Sequence, residues 1–139
     1  MCTEIYIGTD SAIDLTVDDS PSGLWITPLP PGPRIQREFM ELESVYEVGS
    51  FMGCSCGLTF GEFSKNDPTE NHEQRKANVG ELREILHRNS ANIVRIMTLV
   101  KYNLRLLKEY PRRILDLGSM TDDAEEFSFD DDCVYEIKP

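Results

Sequence analysis

The sequence predicts an α+β fold in a single domain: a mostly antiparallel sheet of about five strands with one main helix packed on a face. Two observations carry this. Apolar and polar residues alternate over residues 2–9 and again over 127–137, the pattern of half-buried strands. Val79, Leu82, Ile85 and Leu86 recur instead at the spacing of one helical face. The chain has 139 residues, 40% hydrophobic and 28% charged, which is ordinary usage for a globular domain. A domain of this length buries roughly two thirds of its unfolded surface, so one core is expected.

Taken in order, residues 2–9 place Ile5 and Ile7 on one side and Glu4 and Tyr6 on the other, closed by Gly8 and Asp10. Asp18-Asp19-Ser20-Pro21-Ser22-Gly23 is a loop by composition. Residues 24–29 form a second short strand, with Trp25 and Thr27 set against Leu24 and Ile26. Pro28, Pro30, Pro31 and Pro33 then remove so many backbone donors that the stretch belongs on a sheet edge or in an extended loop. Residues 34–43 fit a short helix or the lead into the next strand.

Residues 44–47 and 54–60 read as two strands around the turn Gly49-Ser50-Phe51-Met52-Gly53. Helix signals begin at Asp67-Pro68-Thr69-Glu70, and Asn78-Val79-Gly80-Glu81 resembles a second capping pattern, so the helix is expected over about 79–89 with an earlier entry open. Residues 93–100 are ambiguous: their β-branched side chains suit a buried strand, while Ile93, Ile96, Met97, Val100, Leu104 and Leu107 also fit a helical stripe. Pro111 ends any helix, 112–117 read as a short strand, Ser119-Met120-Thr121-Asp122 resembles a helix start, and the last strand is expected to lie at an edge guarded by its acids.

These motifs resemble a family of small uncharacterised bacterial proteins that begin with Met-Cys and an Ile/Leu-Tyr-Ile/Leu strand and carry a Gly-Cys-x-Cys-Gly turn in mid-chain. The matching residues are Met1-Cys2, Ile5-Tyr6-Ile7, Val45-Tyr46, Gly49-Ser50, Gly53-Cys54-Ser55-Cys56-Gly57 and Glu126-Phe127-Ser128-Phe129. The resemblance implies a strand over 93–100 and departs at 104–110, where this chain has a longer apolar and basic stretch. It implies no activity.

Charge is unevenly spread. The net formal charge is -11, yet residues 72–113 hold 10 bases and 4 acids, between acidic flanks of -9 and -8. The basic middle could form an anion-binding face from Arg83, Arg88, Arg95 and Arg105; its plainer reading is a positive segment packed beside the chain's own acids. General nucleic-acid binding is disfavoured, because the phosphate backbone calls for an attractive field. With no basic leader and no apolar run near the ~20 residues of a spanning helix, a soluble cytoplasmic protein off the membrane, with reduced thiols, is expected.

Chemistry concentrates in Cys54 and Cys56. In an extended strand residues two apart point the same way, so this pair, with Cys2 and Cys133, could present thiolates to a zinc ion, or act as a redox couple. The competing reading is small buried hydrophobes in an architectural turn. Only His72 and His87 could serve a nucleophile as base. The acidic runs 122–126 and 130–132 lack the spacing of a calcium loop, and no phosphate-cradling loop or serine elbow is present. Trp25, Phe39, Phe51, Phe60 and Tyr102 are aromatics that either anchor a partner or fill the core. The expectation is therefore a binding or protein-interaction module without catalysis or cofactor, taking a protein or small ligand. The alternative is a thiol-based zinc or redox protein.

Overall fold

The computed structural model describes residues 3–30, 39, 41–51, 53, 55–58, 69–100, 111–117, 129 and 133–138. Within them the chain forms β1 (Thr3–Thr9), β2 (Trp25–Pro28), β3 (Ser44–Gly49), a 3-10 turn (Ser55–Leu58), α1 (Thr69–Arg88), β4 (Ile93–Val100), β5 (Arg112–Asp116) and β6 (Cys133–Lys138). The six strands make one sheet in the order β2-β3-β1-β4-β6-β5, one strand more than the sequence suggests. All neighbours are antiparallel except β5 and β6, so the fold is α+β as expected.

β1 is central because both of its faces are buried. Ile5 and Ile7 point to the side covered by α1, into a cluster with Ile26, Tyr46, Val48, Leu82, Leu86 and Ile96. Tyr6 points the other way, into a second cluster with Phe39, Val45, Met97, Leu99 and Val134. β4 likewise feeds Ile96 to one cluster and Met97 and Leu99 to the other. That settles residues 93–100 as a strand: burial on both faces writes a nearly continuous apolar run, which erases the alternation that marks a strand with one wet face. α1 presents Val79, Leu82, Ile85 and Leu86, all at most 5% exposed, to the first cluster.

Three expectations need correction. α1 begins at Thr69, so Asn78 is not a cap; it sits fully buried in mid-helix, where its carboxamide serves other segments. The second strand of the expected hairpin is absent at Ser55–Leu58, which curl into a 3-10 turn. Nor is the last strand at an edge. β6 lies between β4 and β5, pairing antiparallel with one and parallel with the other. β5 stands outside it, and the acidic runs 122–126 and 130–132 fall outside the described residues. The readings of Ser119-Met120-Thr121-Asp122 and of most of 34–43 fall outside the described residues.

The other edge, β2, is finished differently. Val17 exchanges backbone hydrogen bonds of 3.1 Å with Ile26 in both directions, and Pro28 closes the strand. Between β2 and β3, Trp25 is paired with Gly49, and a Cβ at Gly49 would overlap the indole. This glycine is needed for a flat aromatic contact rather than for a turn. Gly49→Ala should therefore destabilise the protein by about 1–3 kcal/mol, the usual penalty of overpacking, measured by chemical denaturation; an unchanged midpoint would show that Trp25 moves aside freely.

Candidate functional site

One polar cluster joins three pieces of chain that are distant in sequence: the loop Ser20-Pro21-Ser22-Gly23, the turn at Ser50-Phe51, and α1. At its centre the Asn78 side chain donates through Nδ2 to the Ser22 carbonyl at 2.6 Å and accepts through Oδ1 from the Phe51 N–H at 2.9 Å. Gln74, one turn earlier, also donates to the Ser22 carbonyl. Further along the helix, the Glu81 carboxylate accepts hydroxyl hydrogen bonds from Ser20 at 2.8 Å and from Ser22. The loop tightens on itself through Ser22 N–H to Ser20 Oγ and Leu24 N–H to Ser22 Oγ, each at 3.2 Å. Gly23 adopts φ +84°, and a Cβ there would stand 2.8 Å from Phe51 Cβ, so both its dihedral and its packing exclude a side chain.

This clasp holds Pro21 and Ser22 beside the outer surface of α1 and leaves an open groove of about 1000 Å³ between them. Its floor is made by Ala77 and Gly80, two small residues on the helix surface. Charge rims it: Glu73, Glu81 and Glu84 against Lys76 and Arg88. The three carboxylates outnumber the cations, in keeping with the acidic chain as a whole.

A second polar insertion explains the serine between the two cysteines. Ser55, 2% exposed, accepts from the Ile5 N–H at 2.9 Å and donates to the Val48 carbonyl. Ile5 and Val48 are partners in the β1–β3 ladder, so the hydroxyl bridges the two strands. The 3-10 turn is thereby pinned to the sheet end, and Leu58 is buried in the α1-side cluster.

The sequence-predicted thiols are placed as follows. Cys54 and Cys2 fall outside the described residues, and Cys56 lies in the 3-10 turn, not in an extended strand. The argument that residues two apart project to one side needs a strand, and a 3-10 turn does not supply that geometry. Cys133 opens β6, 1% exposed; its N–H donates to Thr98 Oγ1 at 3.1 Å. Among the described residues, no group of three or more His, Cys, Asp and Glu side chains is arranged to hold a metal ion. His87 sits at the last turn of α1 with Nε2 3.1 Å from the Leu117 carbonyl, a structural contact between the helix and the end of β5.

Of the four arginines, the three described ones, Arg83, Arg88 and Arg95, do not share one surface. Arg83 and Arg88 are on α1, and Arg88 is exposed at the groove. Arg95 is on β4, on the sheet face turned away from α1, where it meets Glu41 and Glu136, the latter at 3.1 Å. Partial burial works against its charge, but hydrogen bonds to these two carboxylates outweigh burial and hold its pKa above the ordinary value. Arg105 falls outside the described residues. The plainer reading of the basic middle, pairing with the chain's own acids, holds at Arg95.

No family model, curated protein or solved structure matches the chain.

The aromatics divide: Phe39 is buried in the second cluster, Trp25 covers Gly49 at partial exposure, and Phe51 anchors the clasp through its backbone. Phe60 and Tyr102 fall outside the described residues. Among the described helices none is long and apolar enough to cross a membrane. Sequence reasoning missed Ser22, Glu81 and Ser55 because hydroxyls and carboxylates in polar runs carry no periodic signal; the one available cue was Asn78, a polar residue within the apolar helical stripe.

Two outcomes follow. Asn78→Ala and Ser55→Ala should each cost about 1–3 kcal/mol in unfolding free energy, since the first leaves the Phe51 N–H and the second the Ile5 N–H without its side-chain partner. In the native protein the Cys133 thiol should resist a disulfide-exchange reagent and react only on unfolding, read by mass spectrometry of the labelled peptide.

Proposed function

We propose that the protein is a binding module without catalytic activity of its own, and that the groove between the 20–23 loop and α1 receives an extended, positively charged segment of a partner protein. What supports this reading above all is the way the groove is built. One wall is a loop held by five hydrogen-bonding side chains, Ser20, Ser22, Gln74, Asn78 and Glu81, and the other is a helix surface whose small residues let a backbone approach closely. A recognition surface gains affinity when its walls are ordered before the partner arrives, because less freedom is lost on binding.

Electrostatics favour a cation as occupant. Glu73 and Glu84 are exposed on the groove rim, and a chain of net charge -11 attracts basic partners over a screening length of roughly 10 Å. Cytoplasmic residence and membership of the bacterial family described above fit this role and belong to the same proposal. The thiol-based alternative gains no support at Cys56, where the extended geometry it relied on is missing.

Display selection of random peptides against the immobilised full-length chain tests the reading. Enriched sequences should be extended and rich in Lys and Arg, and should bind less tightly as salt is raised. Their affinity should fall about tenfold, about 1.4 kcal/mol, when Glu73→Lys and Glu84→Lys are combined, two exposed sites whose change leaves the fold intact. Enriched peptides that bind the double variant equally well, or turnover of a small molecule by the purified protein, would overturn the proposal.

A further inference from the structure

β5 is the outermost strand of the sheet. Natural sheets blunt such edges with proline, charge, a bulge or a covering segment, and β2 at the opposite end follows that rule through Val17 and Pro28. β5 does not. Its burial pattern leaves Arg112, Arg113 and Ile114 exposed, and Ile114, at 73%, is the one large hydrophobic residue exposed among the described residues. An apolar side chain at the centre of an outer strand is the feature that edge protection normally removes.

The sequence of the strand, Arg-Arg-Ile-Leu-Asp, is complementary to itself when reversed. Centred on Ile114, an antiparallel copy sets Ile114 against Ile114, Arg112 against Asp116 and Arg113 against Leu115. A two-fold axis normal to the sheet passes through the Ile114 pair, makes each of the other two pairs twice and keeps α1 on the same side in both copies. Cross-strand pairs of opposite charge and of β-branched residues are the pairs that stabilise a ladder. Moving the axis by one residue to Arg113 would instead oppose two guanidinium groups. Arg112, Arg113 and Asp116 also have contacts within their own chain, to which the pairing adds.

We propose that a second copy of this chain docks on β5, antiparallel and centred on Ile114, joining two sheets into one continuous sheet. The ladder is only five residues long, so the contact is smaller than a standard stable interface and the association is weak and concentration-dependent. This surface is separate from the groove on α1, and the two proposals stand or fall independently.

Sedimentation of the full-length chain from about 10 µM to about 1 mM should show the mean mass rising from one chain towards two, the range of weak association. Ile114→Lys should weaken the association at least tenfold without shifting thermal unfolding, since the site is exposed. Arg112→Asp and Asp116→Arg should each weaken it, and the two combined should restore it, because the exchanged charges again oppose across the axis. As an independent check of register, Ile114→Cys should yield under mild oxidation a disulfide mapped to position 114 of both chains. A single-chain mass throughout, a dimer indifferent to Ile114→Lys, a charge exchange no better than its single changes, or no cross-link at position 114 would overturn the proposal.

Discussion

The arrangement on the α1 side of the sheet depends on one buried carboxamide. Asn78 is fully enclosed, and its two ends meet the Ser22 carbonyl and the Phe51 N–H. Buried backbone groups must be paired, and here the pairing is needed by two turns that belong to no ladder. Among side chains of this size only an amide offers donor and acceptor together: aspartate would face the carbonyl with a second acceptor, and leucine would satisfy neither. The helix, the loop after Asp19 and the turn after Gly49 therefore meet at this one group, which reaches both turns at once. The groove inherits its shape from that constraint, with Gln74 and Glu81 extending the same contact along neighbouring turns of the helix.

Ser55 applies the same chemistry to the sheet. Its hydroxyl can donate and accept at once, so it stands between the Ile5 N–H and the Val48 carbonyl where a direct bond would otherwise close. The Cys-Ser-Cys segment thus owes its position to the residue between the thiols. At Ser55 the stretch serves the architecture, holding the 3-10 turn against the β1–β3 ladder.

What was legible in the sequence depended on how each residue meets water. β2 could be read because its neighbouring side chains differ in burial, β1 because Ile5 and Ile7 alternate with the more polar Glu4 and Tyr6 although both faces are covered, and the stripe Val79, Leu82, Ile85, Leu86 identified α1 because its opposite face is wet. β4 was ambiguous for the opposite reason: Ile96, Met97 and Leu99 are buried on both faces, and the polarity contrast vanishes. Asn78 misled because one residue type serves equally as a helix cap and as an internal clamp, and only the tertiary surroundings distinguish the two. The position of β6 was illegible altogether, since which strands become neighbours is decided by long-range packing that leaves no local pattern. The groove was hidden likewise, its walls coming from segments about fifty residues apart.

The placement of β6 has a consequence for how the molecule assembles. β5 precedes β6 in the chain, yet its backbone partner in the sheet is β6, and β4 also waits for β6 on that side. Until residues 133–138 arrive, β5 has no ladder to join and β4 keeps an open flank. The third of the sheet beyond β4 therefore closes by insertion of one strand between two others, a step of high contact order that must overcome loop-closure entropy before any hydrogen bond is gained. A nascent chain that has left the ribosome only as far as β5 would carry β1 to β4 without the strand that joins them to β5.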